Sequence, residues 1–427
     1  MKQLLLAGAM AASMGISSTS IATETLVRGA TVHTASSQGT LKNADVLVRD
    51  GLIVAVGTGL AAPAGATIID AKGRPLTPGL CGGLTAIGIE EVSQEPTTVD
   101  TTISQSAPGW NQQWRPETDL TQAFNPRSVL IPVARIEGVT WTVLAPGLGD
   151  GDSGIVADSI IGGQSGAVSL DGRFDAVLPG SHVLFVQMGS AGAKLAGGTR
   201  AGEYVLLDQA IREARSQGPI GPGSLLHAAG REALRPYLAG GRVIFQVDRA
   251  ADIMRVVAFA RRNGMSPVIS GGGEAWIVAK ELAQADVPVI LNPLDDLPAD
   301  FDHVAATLDN AARLQRAGVR IAFSSGDARN ARLVRQLAGN AVAHGVSWEA
   351  ALAAITANPA DILGMGTTRG RIAAGQVADL VLWSADPLEV STLADQVWIA
   401  GRPVEMQSRQ TQLRDRYLEP LKLHQAR

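Results

Sequence analysis

The chain has 427 residues, of which 46% are hydrophobic, 18% charged and 4% aromatic. This composition is typical of a globular protein with ample material for a large core. The formal net charge is -4 at pH 7. No basic stripe with interleaved aromatic residues is present, so a nucleic acid is not an expected partner.

The N-terminal segment has the pattern of a signal peptide. Lys2 precedes a short apolar run over residues 4–12, and Ser20-Ile21-Ala22 offers the small residues that signal peptidase reads. The run is shorter than the ~20 residues of a membrane span, which disfavours the alternative of an N-terminal anchor. We therefore expect residues 1–22 to be removed and the mature protein to be periplasmic or secreted. No later segment is predicted to span a membrane.

Two strand-rich ends enclose a longer region of a different pattern. Residues 24–79 contain short β-rich runs, and Asp50-Gly51 is a hairpin signal between two of them. Residues 370–404 return to short strands, and the tail over residues 405–427 is expected to be helical. The simplest interpretation is that residues 24–79 and 370–404 pair into one discontinuous β-sandwich.

The central region alternates between apolar β-rich runs and amphipathic helices. Predicted strands include residues 138–144, 182–186, 242–247, 267–269, 287–291 and 319–323. Helices are predicted over residues 250–260, 274–283 and 305–317. Continuous apolar strands separated by helices indicate a buried parallel sheet. The fold class is therefore α/β, with a (β/α)8 TIM-like barrel over residues 80–365, although a doubly wound open sheet would give a similar pattern.

Four segments in chain order form a recognisable set: the opening hairpin DGLIVAVG (50–57), the entry LTPGL (76–80), the helix over residues 350–359 with NPA at 358–360, and the closing motif GRIAAGQVADLVLW (370–383). Together they resemble the amidohydrolase superfamily, in particular its imidazolonepropionase-like metal-dependent hydrolases. The resemblance covers nearly the whole mature chain. It implies a barrel with a companion sandwich and hydrolysis of C–N bonds.

The resemblance also implies a metal site, because a divalent ion activates water and polarises the scissile carbonyl in that superfamily. Its ligands are a His-x-His motif on strand 1, one His each at the ends of strands 5 and 6, and an Asp after strand 8. Leu84 and Ala86 occupy the places of the first two histidines. Neither of these side chains can bind a metal.

The remaining positions depart from the pattern as well. Gln246 or Asp248 replaces the strand 5 histidine, Gly271 replaces the strand 6 histidine, and Asp327 lies one residue beyond the expected aspartate. Strand 4, over residues 184–188, has no lysine or glutamate that could bridge two metals. His182 is the one histidine at a predicted barrel strand, and it lies at the start, away from the carboxyl ends that form barrel active sites. The sequence thus predicts no metal and no other cofactor.

Polar residues nevertheless follow several strands at the expected working face. We predict a pocket lined by Leu84, Ala86, Gln246, Arg249, Gly271 and Ser325, with Asp327, Asp248 and Glu274 as candidates for acid–base catalysis. The alternative interpretation is ordinary loop chemistry, since Gly, Ser, Asp and Asn are common in βα turns. Glu90, just past strand 1, is expected to lie in a solvated loop. The alternative is that it lines the mouth of the pocket.

Three functions are compatible with these observations. The first, which best explains the loss of every histidine on a retained scaffold, is a pseudoenzyme that binds a small polar or peptide-like ligand or pairs with an active paralogue. The second is an active hydrolase that cleaves an amide or related C–N bond with a remodelled site. The third is a structural assembly protein, for example a homo-oligomer. Fold alone does not decide among them.

Overall fold

The computed structural model describes residues 24–101, 114–147, 159–327 and 329–425. The predicted signal peptide and its cleavage site near Thr23 lie outside these residues. Within them, no helix combines the length and the hydropathy that crossing a bilayer requires.

The strands, in chain order, are β1 Glu24–His33, β2 Thr40–Arg49, β3 Leu52–Gly57, β4 Thr67–Asp70, β5 Pro75–Pro78, β6 Leu80–Thr85, β7 Val139–Leu144, β8 Ile161–Ser165, β9 Ala167–Ser169, β10 Val183–Gln187, β11 Arg242–Val247, β12 Ser266–Gly271, β13 Val289–Leu291, β14 Ile321–Phe323, β15 Leu380–Trp383, β16 Ala394–Ile399 and β17 Arg402–Pro403.

The α-helices are α1 Leu130–Arg135, α2 Gly189–Leu195, α3 Arg200–Arg215, α4 Ala228–Leu234, α5 Ala250–Arg262, α6 Ala279–Gln284, α7 Asn310–Arg316, α8 Val334–Ala343, α9 Trp348–Ala354, α10 Ala357–Ile362 and α11 Arg409–Gln425. Together with the strands they make a mixed α/β fold, as predicted.

Strands from both ends of the chain share one sheet, in the order β17-β16-β15-β5-β1-β2-β3, with β4 paired to β1. The two ends meet where β15 pairs antiparallel with β5. The buried Trp383 indole N–H donates to Thr77 Oγ1 at 2.8 Å across this junction. Asp50 and Gly51 both have positive φ between β2 and β3, which is the geometry of the predicted hairpin turn.

The central strands form two further sheets. β10 to β14 run parallel in chain order, and β8 pairs antiparallel with β10. β6 pairs parallel with β7, and β9 pairs antiparallel with β7. Because only Gly166 separates β8 from β9, one extended segment joins the two sheets edge to edge. The sequence did not predict this antiparallel segment, whose small residues lack a long apolar run.

The outer strands of these two sheets, β14 and β6, meet through Ser324. Its hydroxyl accepts from the Leu84 N–H and donates to the Leu84 carbonyl, both at 2.9 Å. Gly83 has a φ of +80°, and a Cβ there would lie 2.8 Å from the Phe323 carbonyl oxygen and from the Ser324 Cα. β14 and β6, the outer strands of the two sheets, are therefore in direct contact.

Two predicted helices are shorter than expected. Residues 275–278 form a 3-10 turn before α6, and α7 begins at Asn310 rather than near residue 305. Ala305 is instead tied to the preceding element: its N–H donates to Glu274 Oε1 at 3.2 Å and its carbonyl accepts from the Trp276 indole at 2.9 Å. Residues 292–309 consequently form a loop at the carboxyl ends of the strands, which we call the β13 loop.

The contact between Gly83 and β14 gives a first prediction. Gly83→Ala should lower the free energy of unfolding by about 3 kcal/mol, because it combines positive φ with a clash against backbone. Gly375→Ala is the matched control: Gly375 has a φ of +86° but no atom lies within 4 Å of the place that a Cβ would take, so it should cost about 1 kcal/mol. Denaturant unfolding of both variants measures the difference, and equal losses would contradict this role for Gly83.

Candidate functional site

A cavity of about 500 Å³ opens at the carboxyl ends of the central strands. We call it the candidate cavity. Six of the nine residues that the sequence singled out line it: Leu84, Ala86, Gln246, Gly271, Ser325 and Asp327. The lining is completed by Thr85, Glu90, Ser93, Thr101, Ala145, Pro146, Gly147, Ser270, Ile290, Leu291, Asn292, Asp295, Ser324, Gly326, Arg329 and Asn330.

The floor of the candidate cavity is apolar on one side and polar on the other. Leu84 is 4% exposed and belongs to a buried cluster with Val143, Phe185 and Ile290. Gln246, near the end of β11, has a buried Oε1 with no hydrogen-bond partner among the described residues. An unsatisfied buried acceptor costs about 1–3 kcal/mol. Gln246 therefore offers an acceptor to a ligand that carries an N–H or O–H group.

Asp327 lies at the rim and has both carboxylate oxygens engaged. Oδ1 accepts from the Arg329 backbone N–H at 2.7 Å, and Oδ2 accepts from Asn330 Nδ2 at 2.9 Å. The Arg329 guanidinium donates to Ser93 Oγ at 3.1 Å, so it spans the mouth toward the segment after β6. Asp327 thus organises the turn that follows β14.

Asp295, in the β13 loop, belongs to a polar run after a predicted strand but is not among the residues predicted to be catalytic. Surrounding protein atoms displace water from its carboxylate and raise its pKa, and the negative charge of Asp248 adds to this effect. Its Oδ1 accepts from Asn292 Nδ2 at 2.7 Å. A carboxyl group with a raised pKa can carry a proton to or from a ligand nearer to neutral pH than an ordinary aspartate. Glu90, for which the sequence favoured a solvated loop, also lines the cavity.

Asp248 stands beside the cavity and fixes the β13 loop. Its Oδ1 accepts from the Gly273 N–H at 3.1 Å and lies 3.4 Å from His303 Nε2. The other ring nitrogen of His303 contacts Asp300 Oδ1 at 2.7 Å. The pKa of His303 is raised to about 10, mainly by its hydrogen bond to Asp248. Burial lowers this pKa, whereas the hydrogen bond to Asp300 and the negative charge of that residue raise it further. At neutral pH a charged imidazolium therefore bridges two carboxylates.

Glu274 and Arg249 are placed outside the candidate cavity. Glu274 is 8% exposed, and its two oxygens accept from Ala250 N at 3.0 Å and from Ala305 N at 3.2 Å. It therefore satisfies the start of α5 and holds the β13 loop. Arg249 donates to Asp252 Oδ1 at 2.8 Å, because its side chain turns along α5 rather than toward the strand ends.

The candidate cavity offers few groups that could bind a metal. Within the described ranges, no three His, Cys, Asp or Glu side chains lie close enough together to hold a metal ion. The lining residues from β6, β11 and β12 are Leu84, Thr85, Gln246, Ser270 and Gly271, and the last of these has no side chain. The chemistry available there is hydrogen bonding by amides and hydroxyls, together with acid–base chemistry by carboxyl groups.

The raised pKa of His303 gives a second prediction. A folded-state pKa of about 10 against about 6.5 in the unfolded chain means that the imidazolium stabilises the fold fully below pH ~6.5 and less as the pH rises toward 10. The unfolding free-energy difference between wild type and His303→Gln should therefore be largest near pH 6 and shrink toward pH 10. Chemical denaturation across this range measures it. A difference that stays constant with pH would show that the charge of His303 contributes nothing.

Parts of the chain are similar in sequence to known amidohydrolases. A family model described as "Amidohydrolase family" matches residues 227–405. Amidohydrolase tasK of Hapsidospora irregularis is 47% identical over 72 residues, which are 17% of this chain and 7% of that protein. A dihydroorotase of Citrifermentans bemidjiense is 54% identical over 44 residues, 10% of each protein. The chain thus matches only a small part of these two relatives.

Among solved structures, the crystal structure of an amidohydrolase from Thermotoga maritima MSB8 is similar over nearly its whole length. The match has a TM-score of 0.75 and 25% sequence identity, and it covers 90% of this chain and 100% of the other. The similarity therefore includes both the sheet built from the chain ends and the central strands that carry the candidate cavity.

Proposed function

We propose that this chain is a member of the amidohydrolase superfamily, to which its sequence and fold are similar, that its metal centre has been lost, and that its cavity binds a small polar or peptide-like ligand. One observation carries the proposal. Where the resemblance places histidines, the candidate cavity presents Leu84, Ala86, Gln246 and Gly271. A leucine, an alanine and a glycine have no side-chain lone pair to donate to a cation.

The remaining donors do not fit a divalent metal. Structural and catalytic zinc sites take three or four protein ligands, oriented by further hydrogen bonds. Both carboxylate oxygens of Asp327 already accept hydrogen bonds, from the Arg329 N–H and from Asn330 Nδ2. The amide oxygen of Gln246 is a neutral and weak ligand. A metal-assisted step is therefore not part of the proposed function.

The polar lining suggests how a ligand is bound. The unpaired Gln246 Oε1 at the floor is complementary to an amide N–H. Arg329 at the rim is complementary to a carboxylate, and Asn330 and Ser325 add further hydrogen-bonding groups. A dipeptide or an N-acyl amino acid carries an amide N–H and a carboxylate a few ångströms apart. This class of molecule is the ligand that we propose.

The same proposal takes the central strands as a (β/α)8-type barrel whose third strand is antiparallel, and the sheet from both chain ends as its companion domain. Export to the periplasm or the medium is proposed from the N-terminal pattern alone. Mass spectrometry of exported protein should find a chain that begins near Thr23. An intact Met1 in that material would contradict export with cleavage.

A second candidate function is hydrolysis of a C–N bond by a remodelled, metal-free site. Asp295, with its raised pKa, lines the same cavity as Asp327 and Glu90, and carboxyl groups with different pKa values can act as an acid and a base. The names of the similar proteins, amidohydrolase and dihydroorotase, are compatible with this reaction. The ligand-binding proposal is preferred because it needs only the hydrogen-bonding and charged groups that line the cavity and no catalytic step.

The third prediction separates the two functions. Purified protein should bind glycylglycine or N-acetylglycine in calorimetry, and Gln246→Leu should weaken binding about tenfold because the amide acceptor is lost. Gln38→Leu, an exposed substitution in the turn between β1 and β2, is the matched control and should leave binding unchanged. Incubation with EDTA should not change the melting temperature, since no metal-binding free energy contributes to folding.

The same samples are assayed for hydrolysis with and without added Zn²⁺. No turnover under either condition is the expected result. Turnover that requires Zn²⁺ would contradict the loss of the metal centre. Turnover without added metal that EDTA leaves intact and Asp295→Asn abolishes would establish the second candidate function instead.

A further inference from the structure

A second cavity, of about 900 Å³, lies at the opposite ends of the same strands. We call it the basal cavity, because it is formed around the amino ends of β10 to β14. We propose that the basal cavity binds a small oxyanion, in the form of a phosphate or a carboxylate group on a compact organic molecule. The observations that carry this proposal concern Arg242 and the charges around it.

Arg242, the first residue of β11, is a half-buried cation without an acidic partner among the described residues. Burial lowers the pKa of Arg242, and no nearby carboxylate offsets that effect. Arg242 Nη1 donates a hydrogen bond of 3.4 Å to the Gly180 carbonyl. A guanidinium has five N–H donors, so most of its hydrogen-bonding capacity is left for water or a ligand. A partly desolvated charge is unfavourable unless an opposite charge compensates it.

Gly364 makes room for this side chain. A Cβ on Gly364 would lie 1.8 Å from Arg242 Nη2, so the guanidinium packs directly against the glycine backbone. Gly364 also has a φ of +75°, which favours glycine for a second reason. The guanidinium therefore lies against the Gly364 backbone at the wall of the basal cavity.

The charges around Arg242 favour an anion. Arg261 and Arg320 line the same cavity. Of the two carboxylates in the lining, Asp361 is neutralised by a two-bond pair with Arg371, at 2.8 and 2.7 Å. Asp286 is exposed and lies 3.9 Å from Arg320. Cationic charge therefore exceeds carboxylate charge on this surface, and the excess is centred on arginines.

The shape of the donors indicates which anions fit. The planar fork of arginine matches two oxygens of a phosphate or a carboxylate. His182, exposed just before β10, adds a ring nitrogen that can donate. Tyr237, Met265 and Pro288 provide an apolar wall for the organic part of the ligand. Because this site lies at the other ends of the strands, its occupant would not compete with a ligand in the candidate cavity.

The fourth prediction tests the basal cavity with two probes, pyrophosphate and citrate, by calorimetry on the full-length protein at low ionic strength. At least one probe should bind saturably at one site. Arg242→Gln should weaken binding tenfold or more, and the exposed Arg320→Gln at least threefold. Arg402→Gln, an exposed arginine on β17, is the control and should change binding by less than twofold. Tighter binding of pyrophosphate would identify the natural group as a phosphate, and tighter binding of citrate as a carboxylate.

Three results would overturn the proposal: no saturable binding of either probe, binding that Arg242→Gln leaves within twofold of wild type, or an equal loss in Arg402→Gln, which would show attraction to net charge alone. If Arg242→Gln does not fold, as its melting curve would reveal, Arg320→Gln decides. Unchanged binding in that variant then overturns the proposal, and a loss of threefold or more supports it.

Discussion

The contact between β14 and β6 brings together the residues that line one side of the candidate cavity, from Leu84 to Ala86 and from Ser324 to Asp327. The Ser324 hydroxyl satisfies both backbone groups of Leu84, and Gly83 allows the two strands to approach more closely than any other residue would. With its backbone held by this contact, Leu84 points its side chain into the buried cluster beneath the cavity. The contact also sets the turn after β14, in which Asp327 is bonded to Arg329 and Asn330. The apolar side of the cavity floor, formed by Leu84, therefore depends on the contact between β6 and β14.

Most acidic groups near the strand ends are engaged in holding loops rather than in facing a ligand. Glu274 satisfies α5 and the β13 loop, and Asp248 holds the same loop through the charged His303. The groups that face a ligand include the unpaired amide oxygen of Gln246, the carboxyl group of Asp295 and the guanidinium of Arg329. These groups are suited to recognition of an amide and a carboxylate. A fold similar to that of an amidohydrolase is thus combined with an interior that is better suited to hydrogen bonding than to coordination.

Patterns that depend on neighbouring residues could be predicted from the sequence. The Asp50-Gly51 hairpin, α5 and its end before Asn263, and the strands β10 to β12 follow from local signals that tertiary packing does not override. Six site residues could be placed because the carboxyl ends of parallel strands meet at one edge. The positions of Arg249 and Glu274 could not be predicted. The backbone turns just after each strand, and a shift of one residue there decides whether a side chain faces the cavity or a helix. The raised pKa of Asp295 arises from packing of the β13 loop, which leaves no local signal.

Elemental analysis tests most directly whether the cavity at the strand carboxyl ends holds a metal. The full-length protein would be produced in medium supplemented with Zn²⁺, Mn²⁺ and Fe²⁺, purified without chelator and analysed after gel filtration. We expect metal contents far below one equivalent per chain, the same in wild type and in Asp327→Ala. One or two equivalents of a transition metal that co-elute with the wild-type protein and are lost in Asp327→Ala would contradict the proposed loss of the metal centre.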